Sequence, residues 1–417
     1  MTTFDIPWVR PQFPALGIKV RGYPAAFFDG PGGTQVPQRV IDTMSAYLAS
    51  SNANTHGAFA TSQRTDQVLS AAHAAMADLV GCDPEEMVFG PNMTTLTFAL
   101  SRALSRELGQ GDEIVVTRLD HDGNVSPWTA LEERGCVLRF ADLNPADCTL
   151  DMDDLRRKVT PRTRLVAVGY ASNAVGTLND VREIVRWAHA AGAMAYIDAV
   201  HYAPHGPIDV RSLDCDFLVC SPYKFFGPHS GTLYGKREHL MRLRPYKVRP
   251  AADTLPDRWE TGTQNHEGLA GVTAAVEYLA ELGRRHTPEA QGRRAALLAA
   301  YDAIGAYERS LLEQLVPALL EIPGLTFYGI TDPARFAQRV PTVAVRIVGR
   351  SPRELAAYLG ERGIFTWDGN YYALNLTERL GVESSGGMLR IGLVHYNTAE
   401  EVNRLLGTLR ELAPHAE

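Results

Sequence analysis

The sequence predicts an α/β fold with two domains, and three observations support this prediction. Short apolar segments alternate with helical segments from about residue 60 to 236, which is typical of a mostly parallel sheet covered on both faces. After Gly262 the pattern changes to two long helical tracts and four further apolar segments. The 417 residues are enough for two hydrophobic cores. We therefore predict a large domain over residues 20–265 and a smaller C-terminal α/β domain over 266–417, with residues 1–19 packed on the latter.

Seven apolar segments of the large domain are the predicted strands of its sheet. They are Met87–Phe89, Glu113–Thr117, Val137–Phe140, Leu165–Tyr170, Ala193–Ile197, Phe217–Cys220 and Gly231–Tyr234. The predicted helices between them are Arg64–Leu79, Thr94–Leu108, Val125–Arg134, Asp153–Lys158 and Val181–Ala191. Ligands bind just beyond the carboxyl ends of the strands in such sheets, so we expect the chemistry in the residues that follow each strand.

The small domain combines long helices with a sheet that we predict to be mainly antiparallel. Its predicted strands are Leu325–Tyr328, Val343–Val348, Ile364–Trp367 and Leu389–Leu393. Its predicted helices are Gly268–Gly283, Ala295–Leu320, Pro352–Gly360 and Ala399–Leu412. We expect it to pack closely on the large domain and to leave a cleft between the two.

The composition excludes several classes of protein. The net charge of −7 provides no positive field that would attract nucleic acid. No apolar run approaches the ~20 residues of a membrane helix, and the N-terminal residues lack the basic and apolar layout of a signal peptide. The five cysteines are scattered without a C-x-x-C pair, which argues against a disulfide framework or a structural zinc site. These features predict a soluble, cytoplasmic protein.

Polar and ionisable side chains follow five of the predicted strands. In chain order they are Thr94 and Thr95, Asp120 and His121, Ser172 and Asn173, Asp198 and His201, and Ser221 and Lys224. Each has an ordinary explanation alone, as a helix cap, a turn residue, a half-buried imidazole or a lysine that extends to solvent. The last explanation is difficult for Lys224, because prolines and aromatic residues flank it. A single ligand would explain the whole set.

The residue types specify that ligand. Thr94, Thr95 and Ser221, together with a helix N-terminus, favour a phosphate group. His121 favours a flat ring on which it can stack, and Asp198 favours a ring nitrogen that becomes cationic. Lys224 favours an aldehyde, because burial lowers the pKa of an ammonium and supplies a free amine. Pyridoxal 5'-phosphate (PLP) has all of these features, and a lysine with a carboxylate partner is its expected signature.

The ordered motifs of the chain also resemble those of a known family. FDGPGGT (28–34) is similar to the family's LDNAATT, DHDGNVSPW (120–128) to EHHSNIVPW, SNAVGT (172–177) to SNVLGT, WETGTQN (259–265) to FEAGTPN, and LRIGLVHYN (389–397) to RASLAMYN. This is the class V aminotransferase family of fold-type I PLP enzymes, and within it the cysteine desulfurase and selenocysteine lyase branch. The resemblance covers nearly the whole chain and implies fold type I, PLP and a homodimer with shared active sites.

The resemblance implies a role for each candidate cofactor-binding residue. Lys224 would form the imine, Asp198 would face the ring nitrogen and His121 would stack on the ring. His201, where the family usually has glutamine, would hydrogen-bond the phenolic oxygen. The phosphate would be held by Thr94, Thr95, Ser221 and, from the neighbouring subunit, Thr263.

The substrate-binding residues follow from the same resemblance. Arg390 and Asn173 would receive the substrate carboxylate, because the arginine fork binds a carboxylate through two hydrogen bonds. For Arg390 a salt bridge within the small domain is the ordinary alternative. His56, Tyr371 and Tyr372 are candidates for substrate specificity. No spaced ligand set remains for a metal.

The chain departs from the family at the thiol. A cysteine desulfurase needs a nucleophilic cysteine on a small-domain loop upstream of the carboxylate-binding arginine. The corresponding stretch here is WDGNYYALN (367–375), where Tyr372 or Ala373 takes the place of the cysteine, and no cysteine lies beyond Cys220. Cys220 itself ends a predicted strand, as a small buried residue commonly does. We therefore predict that this chain forms no persulfide.

The predicted function is a PLP enzyme that removes the α-proton of an amino acid, with Lys224 as the base. Expulsion of a β-substituent would follow, as in a C–S lyase. Transamination or epimerisation through the same carbanion, or a biosynthetic bond-forming reaction, remains an alternative. A cofactor-binding protein without catalysis is a further alternative, against which the intact lysine, aspartate and arginine argue.

Overall fold

The computed structural model describes residues 4–414. Its α-helices, in chain order, are α1 (Ile6–Val9), α2 (Gln38–Ser50), α3 (Ala60–Val80), α4 (Met93–Leu104), α5 (Ser126–Thr129), α6 (Met152–Lys158), α7 (Val181–Ala190), α8 (Val210–Leu213), α9 (Arg237–Arg242), α10 (His266–His286), α11 (Gly292–Leu320), α12 (Pro352–Glu361), α13 (Leu374–Arg379) and α14 (Ala399–Arg410). Sequence signals set several of these ends. The side chain of Asn92 caps α4, and Gly81, with a φ of +82°, ends α3 in the left-handed conformation that glycine favours.

The strands belong to one large sheet, one smaller sheet and three short pairs. In chain order they are β1 (Lys19–Val20), β2 (Tyr23–Pro24), β3 (Ala26–Phe27), β4 (Met87–Gly90), β5 (Glu113–Thr117), β6 (Val137–Ala141), β7 (Leu143–Asn144), β8 (Thr149–Leu150), β9 (Thr163–Gly169), β10 (Met194–Asp198), β11 (Phe217–Cys220), β12 (Gly231–Gly235), β13 (Leu325–Tyr328), β14 (Thr342–Ile347), β15 (Ile364–Phe365), β16 (Trp367–Gly369) and β17 (Met388–Gly392).

The large sheet confirms the predicted α/β architecture. It has seven strands in the order β4-β12-β11-β10-β9-β5-β6, and only β12 pairs antiparallel with its neighbours. In the parallel part, Asp198 at the end of β10 is opposite Val219 of β11 and Gly169 of β9. This register places the residues that follow β9, β10 and β11 side by side at one edge of the sheet.

The small sheet is antiparallel throughout, as predicted, with the order β13-β14-β17-β16. One predicted strand is two strands in the structure. Ile364–Phe365 pairs in parallel with Ala26–Phe27 near the N-terminus, whereas Trp367–Gly369 pairs with β17. The predicted helix over Val125–Arg134 is one α-helical turn followed by a 3-10 helix.

Two hydrophobic cores cover the faces of the large sheet, and a third fills the small domain. Because side chains alternate along a strand, Val115 and Val166 face one large core while Ile114 and Leu165 face the other. Helix α10 packs against α3 in the first of these cores and against α2 in a separate small cluster of Val40, Ala274 and Ala275. The small-domain core includes α11 from Leu311 onward. The domain boundary at residue 265 stays a prediction. No helix within residues 4–414 has the length and apolar character that a membrane crossing requires.

Candidate active site

The carboxyl edge of the large sheet and the small domain enclose a cavity of ≈ 700 Å³. The strand-end residues form one side, and the segment Trp367–Tyr372 with Gly386 and Gly387 forms the other. Ten of the residues predicted from the sequence line this cavity: Thr94, His121, Asn173, Asp198, His201, Ser221, Lys224, Tyr371, Tyr372 and Arg390. The structure therefore brings together most of the predicted site.

Lys224 ends a short 3-10 helix directly after β11 and is 9% exposed. Its Nζ donates a hydrogen bond to the carbonyl oxygen of Pro31 and lies 4.8 Å from the centre of the Tyr223 ring. Burial and the positive charge of Arg390 lower the pKa of Lys224 to about 7, although Asp198 opposes this shift. A large fraction of Lys224 is therefore a free amine at neutral pH.

The lowered pKa of Lys224 predicts its reactivity in the protein without cofactor. Only the free amine attacks an electrophile, so the labelling rate of Lys224 should rise with pH through a midpoint of about 7 and then level off. An ordinary lysine reaches its midpoint near pH ~10.4. Brief labelling with a small amine-directed reagent at a series of pH values, followed by peptide mass spectrometry, measures the midpoint of Lys224 and those of the other lysines in one experiment. A midpoint for Lys224 near that of an ordinary lysine would contradict the burial argument.

Two buried carboxylates, those of Asp198 and Asp120, line the cavity. Asp198 ends β10, and burial raises its pKa to about 6, while a hydrogen bond from the Val200 N–H (2.9 Å) and the charge of Lys224 act in the opposite direction. Asp120 follows β5 and accepts hydrogen bonds from the Gly169 N–H (2.7 Å) and the Asn124 side chain (3.2 Å). Burial raises the pKa of Asp120 well above its usual range. Lys224 is thus the charge that favours the ionised form of Asp198.

Two imidazoles that line the site, those of His121 and His201, are held as neutral rings. His121 Nδ1 accepts a hydrogen bond from the Gly123 N–H (2.9 Å), which leaves the ring proton on Nε2. Burial, Lys224 and Arg390 lower the pKa of His121 to about 4. His201 Nε2 lies 3.0 Å from Thr342 Oγ1, and burial lowers the pKa of His201 well below its usual range. Both rings can therefore act as neutral stacking or hydrogen-bonding groups at pH 7.

The N-terminus of α4 opens toward the cavity. Asn92 and Thr94 line the cavity, and Ser221 faces it from the end of β11. Thr95 lies outside the lining residues and is exposed, and its backbone N–H donates to Asn92 Oδ1 (2.8 Å). A helix N-terminus with hydroxyl groups is a favourable site for a phosphate. The role of Thr95 stays a prediction.

Arg390 is 4% exposed on the central strand β17. Its Nη1 donates to the backbone oxygen of Asn173 (2.9 Å), and its guanidinium lies 4.3 Å from the centre of the Tyr371 ring. Its Nε and the side-chain Oδ1 of Asn173 are buried without a hydrogen-bond partner among the described residues. Burial lowers the pKa of Arg390 to about 10, so it remains a cation at pH 7. A buried cation with an unpaired N–H is suited to an anionic ligand.

The segment Asn370–Tyr372 is hydrogen-bonded to the large domain. Tyr371 and Tyr372 both have positive φ angles, 57° and 60°. Asn173 Nδ2 donates to the Tyr371 carbonyl (2.9 Å), and the Asp122 N–H donates to the Tyr372 carbonyl (2.6 Å). The ring of Tyr372 stacks on His121, with centroids 5.4 Å apart. These contacts fix the segment as a wall of the cavity.

His56 and Thr263 lie in a second cavity of ≈ 1050 Å³, and neither lines the first. The side chain of His56 lies 3.6 Å from Asp66, and its φ is 63°. The two residues thus share one surface region of the chain, away from its own Lys224. Their roles in cofactor or substrate binding stay predictions.

Sequence reasoning missed other groups at this site. They are Asp29, Asn92, Tyr223, Thr342 and Glu383. Burial raises the pKa of Asp29 to about 6, and it acts electrostatically on Lys224 and Arg390. Asn92 carried a usable signal, since an asparagine between a strand and a helix is a common cap. The sequence around Thr342 and Glu383 gives no such signal, because only the packing of the small domain brings these two residues to the site.

The residues present fit PLP. Lys224 has a lowered pKa, Asp198 supplies a buried carboxylate, His121 a neutral ring and Arg390 an unpaired N–H. These are the groups that this cofactor and an amino-acid carboxylate require. Within residues 4–414 no cluster of three or more histidine, cysteine, aspartate or glutamate side chains is placed to hold a metal ion. The fold and the site together define a PLP-dependent enzyme of fold type I.

Comparison with known proteins gives the family. The model of the family "Aminotransferase class-V" matches residues 26–405, and the chain belongs to this family. Cysteine desulfurase of Pectobacterium atrosepticum is 32% identical over 428 residues, which cover 98% of each protein. Cysteine desulfurase of Serratia proteamaculans is 32% identical over 427 residues, with the same coverage.

Solved structures of cysteine desulfurases have the same fold. The apo structure of the enzyme from Thermococcus onnurineus matches 99% of each chain with a TM-score of 0.87 and 26% identity. The cysteine desulfurase CsdA of Escherichia coli matches 99% of this chain with a TM-score of 0.84 and 28% identity. The chain is therefore a cysteine desulfurase-like member of a PLP-dependent family. This confirms the resemblance identified in the sequence.

Proposed function

We propose that this protein is a PLP-dependent lyase that removes a β-substituent, preferably one bound through sulfur, from an amino acid. The observation that carries the proposal is the segment Trp367–Asn375, where a persulfide-forming thiol would have to lie. Tyr372 stacks on His121 there, and Ala373 is fully buried. With a complete lysine, aspartate and arginine set and no thiol in this segment, the chemistry should proceed without a covalent sulfur carrier.

The chain's own residues would hold the cofactor by separate contacts. Lys224 would bind its aldehyde carbon, Asp198 its ring nitrogen, and His121 would stack on its ring. His201 would hydrogen-bond the phenolic oxygen, and the phosphate would lie at the N-terminus of α4 with Thr94, Thr95 and Ser221. When bound, PLP supplies an electron sink for a carbanion at the substrate α-carbon. Asn173 and Arg390 would hold the substrate carboxylate and so orient the α-hydrogen.

The proton transfer depends on the state of Lys224. As a free amine, Nζ would accept the α-proton, and the C–H electron pair would form the Cα–Cβ double bond while the Cβ–S bond breaks and the thiolate leaves. A protonated Nζ would then donate to the departing group or to solvent, which restores the amine. Water converts the released product to an oxo acid and ammonium. A base with a pKa near the working pH suits this exchange.

We also propose a homodimer in which Thr263, and the region of His56, complete the site of the neighbouring subunit. The support is that these residues lie together in the second cavity, away from the Lys224 of their own chain. Mixing Lys224→Ala and Thr263→Ala proteins should form hybrid dimers with one intact site, and should regain activity that neither variant has alone. Failure to regain activity after verified subunit exchange would contradict a shared site.

Product analysis tests the reaction. The holoenzyme would be incubated with cysteine, selenocysteine, S-substituted cysteines and cysteine sulfoxides, and the products quantified. Pyruvate, ammonium and the released sulfur compound in equal amounts are expected. Alanine with sulfane sulfur would show desulfurase chemistry instead, a new amino acid formed from an added oxo acid would show transamination, and an inverted α-carbon would show epimerisation. A visible band unchanged by every amino acid would indicate a binding protein without catalysis.

A further inference from the structure

A buried cluster of three histidines and one glutamate extends from the candidate active site into the protein. It consists of His201, His205, His395 and Glu308, which are 4%, 7%, 0% and 2% exposed, respectively. His201 lines the catalytic cavity, and its ring packs edge-on against that of His205, with centroids 5.4 Å apart. The steps of the proposed mechanism involve none of the other three. Buried ionisable groups of this density need an explanation.

Glu308 lies on α11 between the part of that helix in the large core and the part in the small-domain core. Its Oε2 lies 2.8 Å from His205 Nδ1, and the backbone of His395 also lies near it. Burial raises the pKa of Glu308, while the charge of His205 and the His395 backbone act in the opposite direction. His205 follows the strand that carries Asp198, and His395 follows the strand that carries Arg390. Glu308 therefore connects the segments that support both sides of the cavity.

Only one of the three imidazoles has a carboxylate partner. His395 Nε2 bonds the Tyr278 hydroxyl (2.7 Å), and burial together with His205 lowers the pKa of His395 to about 3. His201 lies within hydrogen-bond distance of the Thr342 hydroxyl. Burial lowers its pKa most, and the positive charges of His205, Lys224 and Arg390 lower it further. Tyr301 and Tyr307 also face Glu308. Of the three imidazoles, His205 is thus the one that faces a carboxylate.

We propose that His205 and Glu308 form a buried ion pair, and that its positive member adds to burial in keeping His201 neutral and oriented toward the catalytic cavity. His205 and Glu308 are then positioning residues that act on the site without touching it. A glutamine at position 201 would need no neighbouring charge to keep it neutral, because its amide does not titrate. The inference rests on the proposed function only for its catalytic meaning, since the charge states exist in the protein without cofactor.

The test measures histidine titration in the cofactor-free protein. Imidazole nitrogen signals from ¹⁵N-histidine protein would be followed by NMR against pH, with His201 and His205 assigned from the signals lost in H201Q and H205Q. In the wild-type protein we expect His205 charged and His201 neutral at pH 7. Glu308→Gln and His205→Gln should each raise the midpoint of His201 by about one pH unit or more, because the facing charge is lost.

A matched control is Glu313→Gln, which changes an exposed glutamate of the same helix and should leave His201 unmoved. If Glu308→Gln does not fold, the proposal is still tested by the charge state of His205 in the wild-type protein and by the midpoint of His201 in H205Q. A neutral His205 at pH 7, or a His201 midpoint that moves in neither variant, would overturn the proposal. Neither result depends on which reaction the loaded enzyme catalyses.

Discussion

Replacing Lys224 with alanine is expected to lower kcat/KM by about 10³-fold or more, because in the proposed function this one side chain supplies both the nucleophile and the base. Its amine is buried beside Asp198, and no other lysine lines the cavity within the described residues. The measurement is steady-state product formation by the reconstituted protein. Borohydride treatment followed by denaturation and mass spectrometry provides a second readout: the cofactor mass should remain attached to the wild-type chain and be absent from the variant.

Lys224→Arg is the matched control for this variant. It keeps a positive charge facing Asp198 but removes the free amine, since a guanidinium does not lose its proton in this pH range. Both variants should therefore be inactive, and Lys224→Arg should retain more of the thermal stability. Activity within tenfold of wild type in Lys224→Ala, or a cofactor mass that stays attached to it, would show that the reactive amine lies elsewhere.

Replacing Asp198 with asparagine is expected to lower turnover by about 10²-fold or more, because an amide of the same shape cannot stabilise a cationic ring nitrogen. The substitution has a second consequence that requires no cofactor. Asp198 raises the pKa of Lys224, so its removal should move the labelling midpoint of Lys224 below about 7. Product formation and the labelling titration measure the two effects separately.

Asp216→Asn is the control for the loss of a buried carboxylate elsewhere, since Asp216 directly precedes β11. Asp216 is 4% exposed and bonds His189 (2.8 Å) and His239 (3.0 Å), outside the catalytic cavity. Asp216→Asn should lower the melting temperature and leave the Lys224 midpoint in place. An unchanged Lys224 midpoint in Asp198→Asn would contradict the electrostatic coupling between the two residues.

The fold was predictable where the pattern of a segment is unambiguous. Strand Phe217–Cys220 and strand Glu113–Thr117 were predicted with the boundaries that the structure has, because both are continuous apolar runs between clear turn signals. Ile364–Trp367 also looked like one apolar strand. Its two halves pair with different partners, and the choice of partner is set by long-range packing that local periodicity does not contain.

The site was predictable to the extent that its residues follow strands. Asp198 and Lys224 could be placed together because parallel strands bring their carboxyl ends to one edge. Arg390 lies in the middle of a small-domain strand, so only the family resemblance pointed to it. Asp29 and Glu383 were not predicted, because their contribution arises from burial and from the docking of distant segments.

The docked segment Asn370–Tyr372 has a consequence for where sulfur goes. A mobile loop that carries a thiol can bind sulfur and transfer it to another protein. The segment Asn370–Tyr372 is instead hydrogen-bonded to Asp122 and Asn173 and carries no thiol that could bind sulfur. On the proposed chemistry the departing sulfur compound enters solvent as a small anion. Its ease of departure is then governed by its own acidity, so the more acidic thiols should be expelled faster.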